Sequence, residues 1–244
     1  MALILEDLDL WKLDHLASVN RQLRLILRSR IIRNDLKPNQ KISEPGLAKQ
    51  YGVSRQPVRE AFITLAQEGL VEILPQRGTL VRRIDYEVVL DCRFIREAFE
   101  ADVMRQLAVK PDAELIAILR QQIKQQKKVS GNQPAQFIEL DEKFHRTLSQ
   151  AAGLNRAWDF IDSTKAQMDR VRFMSFEEFP ITRLISQHTL IVDCIEQQDS
   201  AGAEDAIRKH LREILSSLPK IRTLYPDHFD NFRKAGSADT THPS

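Results

Sequence analysis

The spacing of apolar positions changes period twice along this 244-residue chain. Val19, Leu23, Ile26, Leu27 and Ile31 recur at three- and four-residue steps, which predicts an amphipathic helix ended by the Lys37-Pro38-Asn39 turn. A short helix carrying Leu47, Ala48 and Tyr51 follows, with Ser43 placed to cap it. Gly52 can take the left-handed conformation that ends it. Ser54 can cap a third helix through its hydroxyl, and Pro57 falls in that helix's first turn, where its missing N–H costs nothing. Val58, Ala61, Phe62 and Leu65 make the buried face of this third helix. The pattern then shortens: Leu70, Val71, Ile73, Leu74 and then Thr79, Leu80, Val81 predict two strands around Pro75-Gln76-Arg77-Gly78, a hairpin with a basic tip.

Near Arg82 to Asp85 the 3.6-residue period returns, and the domain boundary is predicted there. From that point to about residue 218 no strand pattern appears. The stripes Val88, Cys92, Ile95, Phe99, Val103; Leu115, Ile118, Leu119; Phe137, Phe144, Leu148; Trp158, Ile161, Met168; Leu184, Ile191, Ile195; and Ile207, Leu211, Ile214 predict six helices packed as a bundle. Breaks fall at Lys110-Pro111, Ser130-Gly131-Asn132, Gly153, Phe179-Pro180 and Asp199-Ser200. The fold class is therefore mainly α: an N-terminal winged helix-turn-helix over residues 15–83 and an all-helical domain over 84–222. Residues 1–14 read as an extension. Residues 223–244 lack apolar periodicity and read as a loose tail.

Charge sharpens this division. The net charge of +2 is uninformative as a sum, but residues 21–83 hold 13 Lys and Arg against 5 Asp and Glu, whereas residues 84–244 hold 22 against 25. Basic charge is concentrated on the helix-turn-helix, as binding to a phosphate backbone requires. Arg55, Gln56 and Arg59 lie off the apolar stripe at the start of the third helix, with the two arginines four residues apart on one surface. A guanidinium there can fork onto a guanine edge or a phosphate, and a glutamine can pair with adenine. Two arginines alone would fit a solvated face. The wing that follows is what points to DNA, since Gly78 lets the tip approach the sugar-phosphate backbone and Arg77 supplies charge. The candidate DNA-contacting residues are Ser54, Arg55, Gln56, Arg59, Arg77 and Gly78.

At this point residues 15 to 83 resemble the winged helix-turn-helix of the GntR regulators, which match in register at SRQPVREAF, at LAQEGL over residues 65–70 and at PQRG over residues 75–78. The resemblance implies DNA contacts by Arg55, Arg59 and the wing tip. One departure stands out: many relatives carry an arginine in a Glu-Arg-Glu-Leu pattern where this chain has Glu44-Pro45-Gly46-Leu47. Specificity then rests more heavily on Arg55, Gln56, Arg59 and the wing.

A second constellation lies in the helical region. Asp141 and His145 are four apart on the face that carries Phe137, Phe144 and Leu148, while His188 falls in register with Leu184, Ile191 and Ile195 and His210 with Ile207 and Ile214. One histidine on an apolar face is usually a hydrogen-bonded core residue. Four such groups on three helices instead suit a divalent transition metal, whose charge compensates the desolvated carboxylate. Nitrogen-rich ligands favour zinc, with nickel or manganese as alternatives. His15, His228 and His242 lie outside the pattern.

Here the chain is also similar to the FCD (FadR-like) subgroup of GntR regulators, through Asp141-Glu142-Lys143-Phe144-His145, His188, His210, Arg96-x3-Glu100, Ala151-Ala152-Gly153-Leu154-Asn155 and the run from Asp199 to Leu211. That subgroup's helical domain senses a small molecule, often an organic acid, near the metal. Arg96 and Arg172 lie on inner stripes and are the candidate effector ligands, although Arg96 can instead pair with Glu100 and Arg172 can reach solvent.

The expectation is a homodimeric, ligand-responsive transcription regulator that is not an enzyme, binding two-fold related half-sites on double-stranded DNA with affinity set by a metal and an organic acid. The alternatives are a regulator that senses the metal itself, or a metalloenzyme using the Asp and three His, with Glu142 as the candidate base. Cys92 and Cys194 sit in helical stripes and read as reduced core residues. The start MALILEDLDLWKLDH has acids where a signal peptide is basic, and no apolar run is long enough to span a membrane, so a cytoplasmic protein is expected.

Overall fold

The computed structural model describes residues 12–14, 18–129, 133–176 and 181–230. In chain order the elements are α1 (Val19–Ile32), β1 (Lys41–Ile42), α2 (Glu44–Tyr51), α3 (Arg55–Gln67), β2 (Val71–Leu74), β3 (Gly78–Val81), α4 (Tyr86–Val109), α5 (Ala113–Gln126), α6 (Pro134–Ala151), α7 (Asn155–Thr164), α8 (Ala166–Ser175), α9 (Ile181–Glu196) and α10 (Ser200–Leu224). The N-terminal extension predicted over 1–14 falls almost wholly outside the described residues.

The first domain follows its sequence pattern closely. Ser43 caps α2 by accepting from the Gly46 N–H at 3.1 Å, and Gly52 ends it at φ 65°. Leu23, Leu27 and Ile31 of α1 pack with Leu47, Val58, Phe62, Leu65, Leu70 and Val81 in one core. Each of these fully buried aliphatics contributes roughly 1.5–3 kcal/mol relative to exposure. Ser54 departs from expectation: it occupies the N-cap position of α3, but its hydroxyl makes no capping bond. The wing also has a third strand, because Lys41 and Ile42 pair antiparallel with Leu80 and Thr79, giving the order β1-β3-β2. Two residues are too few to show a period.

The second domain contains seven helices, α4 to α10, among the described residues, where the stripes predict six. The stripe of Trp158, Ile161 and Met168 is buried as expected but divides between α7 and α8. The break is one residue, Lys165, after which Ala166 to Val171 are all buried. Two other stripes are right in part. On α4, Val88 and Ile95 are exposed while Val89, Cys92, Arg96 and Val103 face inward; on α5, Ile118 is exposed while Leu115, Ile116 and Leu119 are buried. Cys92 and Cys194 are both free and buried.

The chain after α10 also differs from the loose tail predicted from residue 223. Phe229 is 1% exposed and bridges Ile84 in parallel, and His228 Nε2 lies 3.2 Å from Asn34 Oδ1. A short 3₁₀ turn at Pro226–His228 folds this segment back over the interdomain connector. Asp85 in that connector caps α4 by accepting from the Glu87 and Val88 N–H groups.

The domains meet mainly through α8. Ala166 joins the core of the first domain, Gln167 Nε2 donates to Gly69 O at 2.6 Å, and Arg170 Nη1 donates to Arg82 O at 2.8 Å. Those two carbonyls lie at the entry to β2 and the exit of β3, so α8 holds both ends of the wing. Arg28 of α1 adds ion pairs to Asp169 at 3.5 Å and to Glu68, the last-turn cap of α3, at 3.1 Å.

Candidate DNA-reading surface and metal centre

The apolar face of α3 is buried and its polar face is presented outward, with Ser54, Arg55, Gln56 and Arg59 all exposed. Arg59 does not hang free: Nε and Nη2 donate to Glu44 Oε2 and Oε1 at 3.1 and 3.0 Å. Gln56 Nε2 donates to Glu60 Oε1 at 3.0 Å. Pro45 is exposed in the first turn of α2, so no cationic side chain extends from that position. At the wing, Arg77 is exposed and Gly78 takes φ 95°, where a Cβ would lie 2.9 Å from Lys41 Cε. Only glycine fits that approach without strain.

In the second domain, α6 brings Asp141 and His145 to the interior, α9 brings His188 and α10 brings His210, and one ligand atom of each lies within 4.8 Å of all the others. The first three are fully buried and His210 is 6% exposed. Their orientation is set from behind. His145 Nδ1 meets Glu100 Oε2 at 2.5 Å, His188 Nδ1 meets Gln126 Oε1 at 2.9 Å, and His210 Nδ1 meets Gln187 Oε1 at 2.9 Å. Each acceptor is an oxygen, so each Nδ1 carries the proton and each Nε2 turns a lone pair inward. The consequence is visible at the centre: His210 Nε2 stands 3.2 Å from His145 Nε2 and 3.3 Å from His188 Nε2, and Asp141 Oδ1, 3.4 Å from His188 Nε2, has no hydrogen-bond partner. Lone pairs converging in a buried interior suit a cation between them. The donor set thus fits a divalent metal.

The surroundings reinforce that polarity. Phe144 stacks on His188 with ring centroids 4.3 Å apart, and Trp158 lies parallel to His145 at 6.4 Å. Burial, aggravated by the neighbouring imidazoles of His188 and His145, pushes His210 well below the ordinary histidine range, and burial likewise lowers His188. Burial opposes ionisation of Asp141 and Glu100, but the adjacent guanidinium groups and hydrogen bonds win. Arg172 holds Asp141 well below the usual carboxylate range, and Arg96, with the hydrogen bond from His145, brings Glu100 down to about 2.

Both candidate effector arginines are inside. Arg96 is 2% exposed and ion-pairs with Glu100, whereas Arg172 reaches Asp141 rather than solvent. Arg96 Nη2 and Arg93 Nε are buried without hydrogen-bond partners, whereas Arg172 Nη1 makes no hydrogen bond but lies 3.5 Å from Glu142 and 3.7 Å from Asp169. All three side chains line one cavity of about 60 Å³ with His210, Ser175 and Ser217. Arg93 and the two serines carry no periodic signal and were not legible in the sequence. The same holds for Glu100, Gln126 and Gln187 as supports of the histidines, apart from the helical spacing of Glu100 from Arg96. Glu142, the candidate base of the enzyme alternative, is held by Lys165 at 2.8 Å and Arg172 at 3.5 Å.

A winged helix-turn-helix docked on a helical domain is the architecture of a DNA-binding regulator. Residues 20–81 match the bacterial regulatory proteins of the gntR family, and residues 91–213 match the FCD domain. The chain belongs to the GntR family of transcriptional regulators, in its FCD-bearing form. It is 40% identical over 213 residues to the HTH-type transcriptional repressor RspR of Escherichia coli (strain K12), across 86% of this chain and 93% of that one. It is 27% identical over 205 residues to the Nta operon transcriptional regulator of Aminobacter aminovorans, across 82% and 96%. The solved structure of E. coli McbR/YncC shares the fold, with a TM-score of 0.69 at 18% identity over 86% of this chain and 99% of that one. The family and these relatives are transcriptional regulators, not enzymes, which removes the metalloenzyme alternative. No helix among the described residues is long and apolar enough to cross a membrane.

Proposed function

We propose that this regulator is a homodimeric repressor whose operator affinity is set by a small organic acid bound beside a divalent metal, most simply zinc. The observation that carries this reading is the cavity at the ligand cluster. The guanidinium groups of Arg93, Arg96 and Arg172 line it together with His210, and Arg93 Nε and Arg96 Nη2 are buried without hydrogen-bond partners, a cationic lining matched to carboxylate oxygens. Asp141, His145, His188 and His210 would hold the ion, which supplies charge compensation for Asp141 and a Lewis-acid contact for a ligand oxygen. Arg172 spans the two parts, since it meets Asp141 and also lines the cavity. Its helix, α8, continues to the contacts with Gly69 and Arg82, giving occupancy a short route to the wing. The repressor sign follows the relative RspR. Ser54, Arg55, Gln56, Arg59, Arg77 and Gly78 form the DNA-contacting set.

Elemental analysis of the purified chain tests the metal: close to one divalent ion per chain is expected, and the double variant His188→Ala, His210→Ala should lose it. Full retention by that variant refutes the ligand set. Titrating small carboxylates against a DNA duplex selected by the protein then tests the effector. If operator binding instead varies with free metal concentration and no carboxylate affects it, the metal itself is the signal.

A further inference from the structure

The polar face of α3 is backed by two carboxylates that the DNA-binding reading does not use. We propose that Glu44 and Glu60 are specificity-determining positioning residues, which orient Arg59 and Gln56 toward base edges while cancelling the attraction of the reading face for unselected DNA. This inference rests on the reading that Arg59 and Gln56 contact DNA.

Glu44 meets Arg59 fork to fork, at 3.0 and 3.1 Å. That geometry uses the Nε and Nη2 edge of the guanidinium and fixes its plane, leaving the Nη1 side and the second Nη2 hydrogen free. The remaining edge has the spacing needed for the O6 and N7 atoms of guanine. Glu44 is the better anchored partner: its side chain is 21% exposed against 59% for Arg59. It is the first residue of α2, next to the Ser43 cap and three residues from buried Leu47.

Glu60 does the same for Gln56. Its Oε1 accepts from Gln56 Nε2 at 3.0 Å and its Oε2 accepts from Asn20 Nδ2 at 2.6 Å, which ties it to the start of α1. One amide hydrogen of Gln56 is thereby held, and the other remains with Oε1 for the N7 and N6 of adenine. Ion pairs this exposed contribute little to stability. Their effect is on charge: Glu44 pairs with Arg59, and Glu60 adds a second carboxylate one residue from it, so the two acids offset in number the charges of Arg55 and Arg59. Non-specific binding is almost wholly a count of phosphates neutralised, so a reading face whose charges are offset adds to base recognition while adding little to that count.

The test uses the full-length protein, a duplex selected by it from a random-sequence pool, and a scrambled duplex of equal length, with affinities measured across a salt series. Arg59→Ala identifies the base position that Arg59 reads, as the one where discrimination relaxes. Glu44→Gln should then lower discrimination at that same position about tenfold, tighten binding to scrambled DNA severalfold and steepen its salt slope by about one. Glu60→Gln should act likewise at a different position. Both replacements are isosteric, and unchanged thermal unfolding would establish intact folds. Unaltered discrimination in Glu44→Gln and Glu60→Gln, with Arg59→Ala still relaxing one position, overturns the proposal and leaves the DNA reader standing. If Arg59→Ala also changes nothing, the assignment of Arg59 fails, and the proposal fails with it.

Discussion

Each histidine of the cluster is useful only because the nitrogen facing away from the centre is occupied. Gln126 is fully buried, and its Oε1 fixes the tautomer of His188 while its Nε2 donates to Leu140 O at 3.3 Å. Without that acceptor the ring is free to rotate or to move its proton to Nε2, and either change removes a ligand. Gln126→Leu should therefore weaken metal affinity about 10–100-fold while leaving all four proposed ligands in place. Competition with a chromophoric chelator measures this directly, and an affinity equal to wild type would show that His188 is not oriented through Gln126. Glu100 has a harder task, because it serves both His145 Nδ1 and the buried guanidinium of Arg96. Removing its charge would strand Arg96 as well, so its variants mix loss of metal with loss of stability and are less informative.

At the scale of elements, the sequence showed where helices lie better than which way they face. The stripes on α1, α3 and α10 were legible because their buried positions are mostly apolar, and that on α6 because Phe137, Phe144 and Leu148 mark the buried face. On α4 the interior also takes Arg96, Glu97 and Glu100, so the apolar residues alone placed Cys92, Phe99 and Val103 correctly but also put Val88 and Ile95 inside. The four proposed metal ligands could be read because each keeps step with an apolar stripe. Their supports could not, since Glu100, Gln126 and Gln187 come from three different helices and meet the histidines only after folding. The α7–α8 break was hidden for another reason: it spans a single residue, Lys165, between Ile161 and Met168 of one apolar stripe. Lys165 is 2% exposed, and its Nζ lies 2.8 Å from Glu142, 2.6 Å from Asp169 and 3.4 Å from Asp162. Lys165→Met would keep the volume but leave Asp169, also 2% exposed, without its nearest cation. The expected cost is about 3–5 kcal/mol, or roughly a 10 °C fall in the unfolding midpoint. A midpoint within a degree or two of wild type would mean that Arg28 and Arg172 suffice to hold the acidic cluster.

At the scale of the whole molecule, α8 touches both the proposed sensory site and both ends of the wing. It presents Arg172 to Asp141, and from its earlier turns it presents Gln167 to Gly69 and Arg170 to Arg82. Arg170 is 2% exposed, and burial brings its guanidinium down to about 10, with Asp230 pulling weakly the other way. So costly a side chain is retained where a backbone carbonyl and Gln167 Oε1, at 3.3 Å, receive its hydrogens. This bridge predicts that the domains unfold together. A metal present at a hundred times its dissociation constant stabilises the folded chain by about 2.7 kcal/mol, and through a docked interface that gain reaches the winged domain as well. Calorimetry of the wild-type chain should show one transition that moves up by several degrees with metal. Arg170→Met keeps the aliphatic stem but removes the bond to Arg82, and should split the trace into two transitions, of which only the helical domain's responds to metal. Two transitions already present in the wild type, with the winged domain's indifferent to metal, would show that α8 lies against the wing without coupling to it.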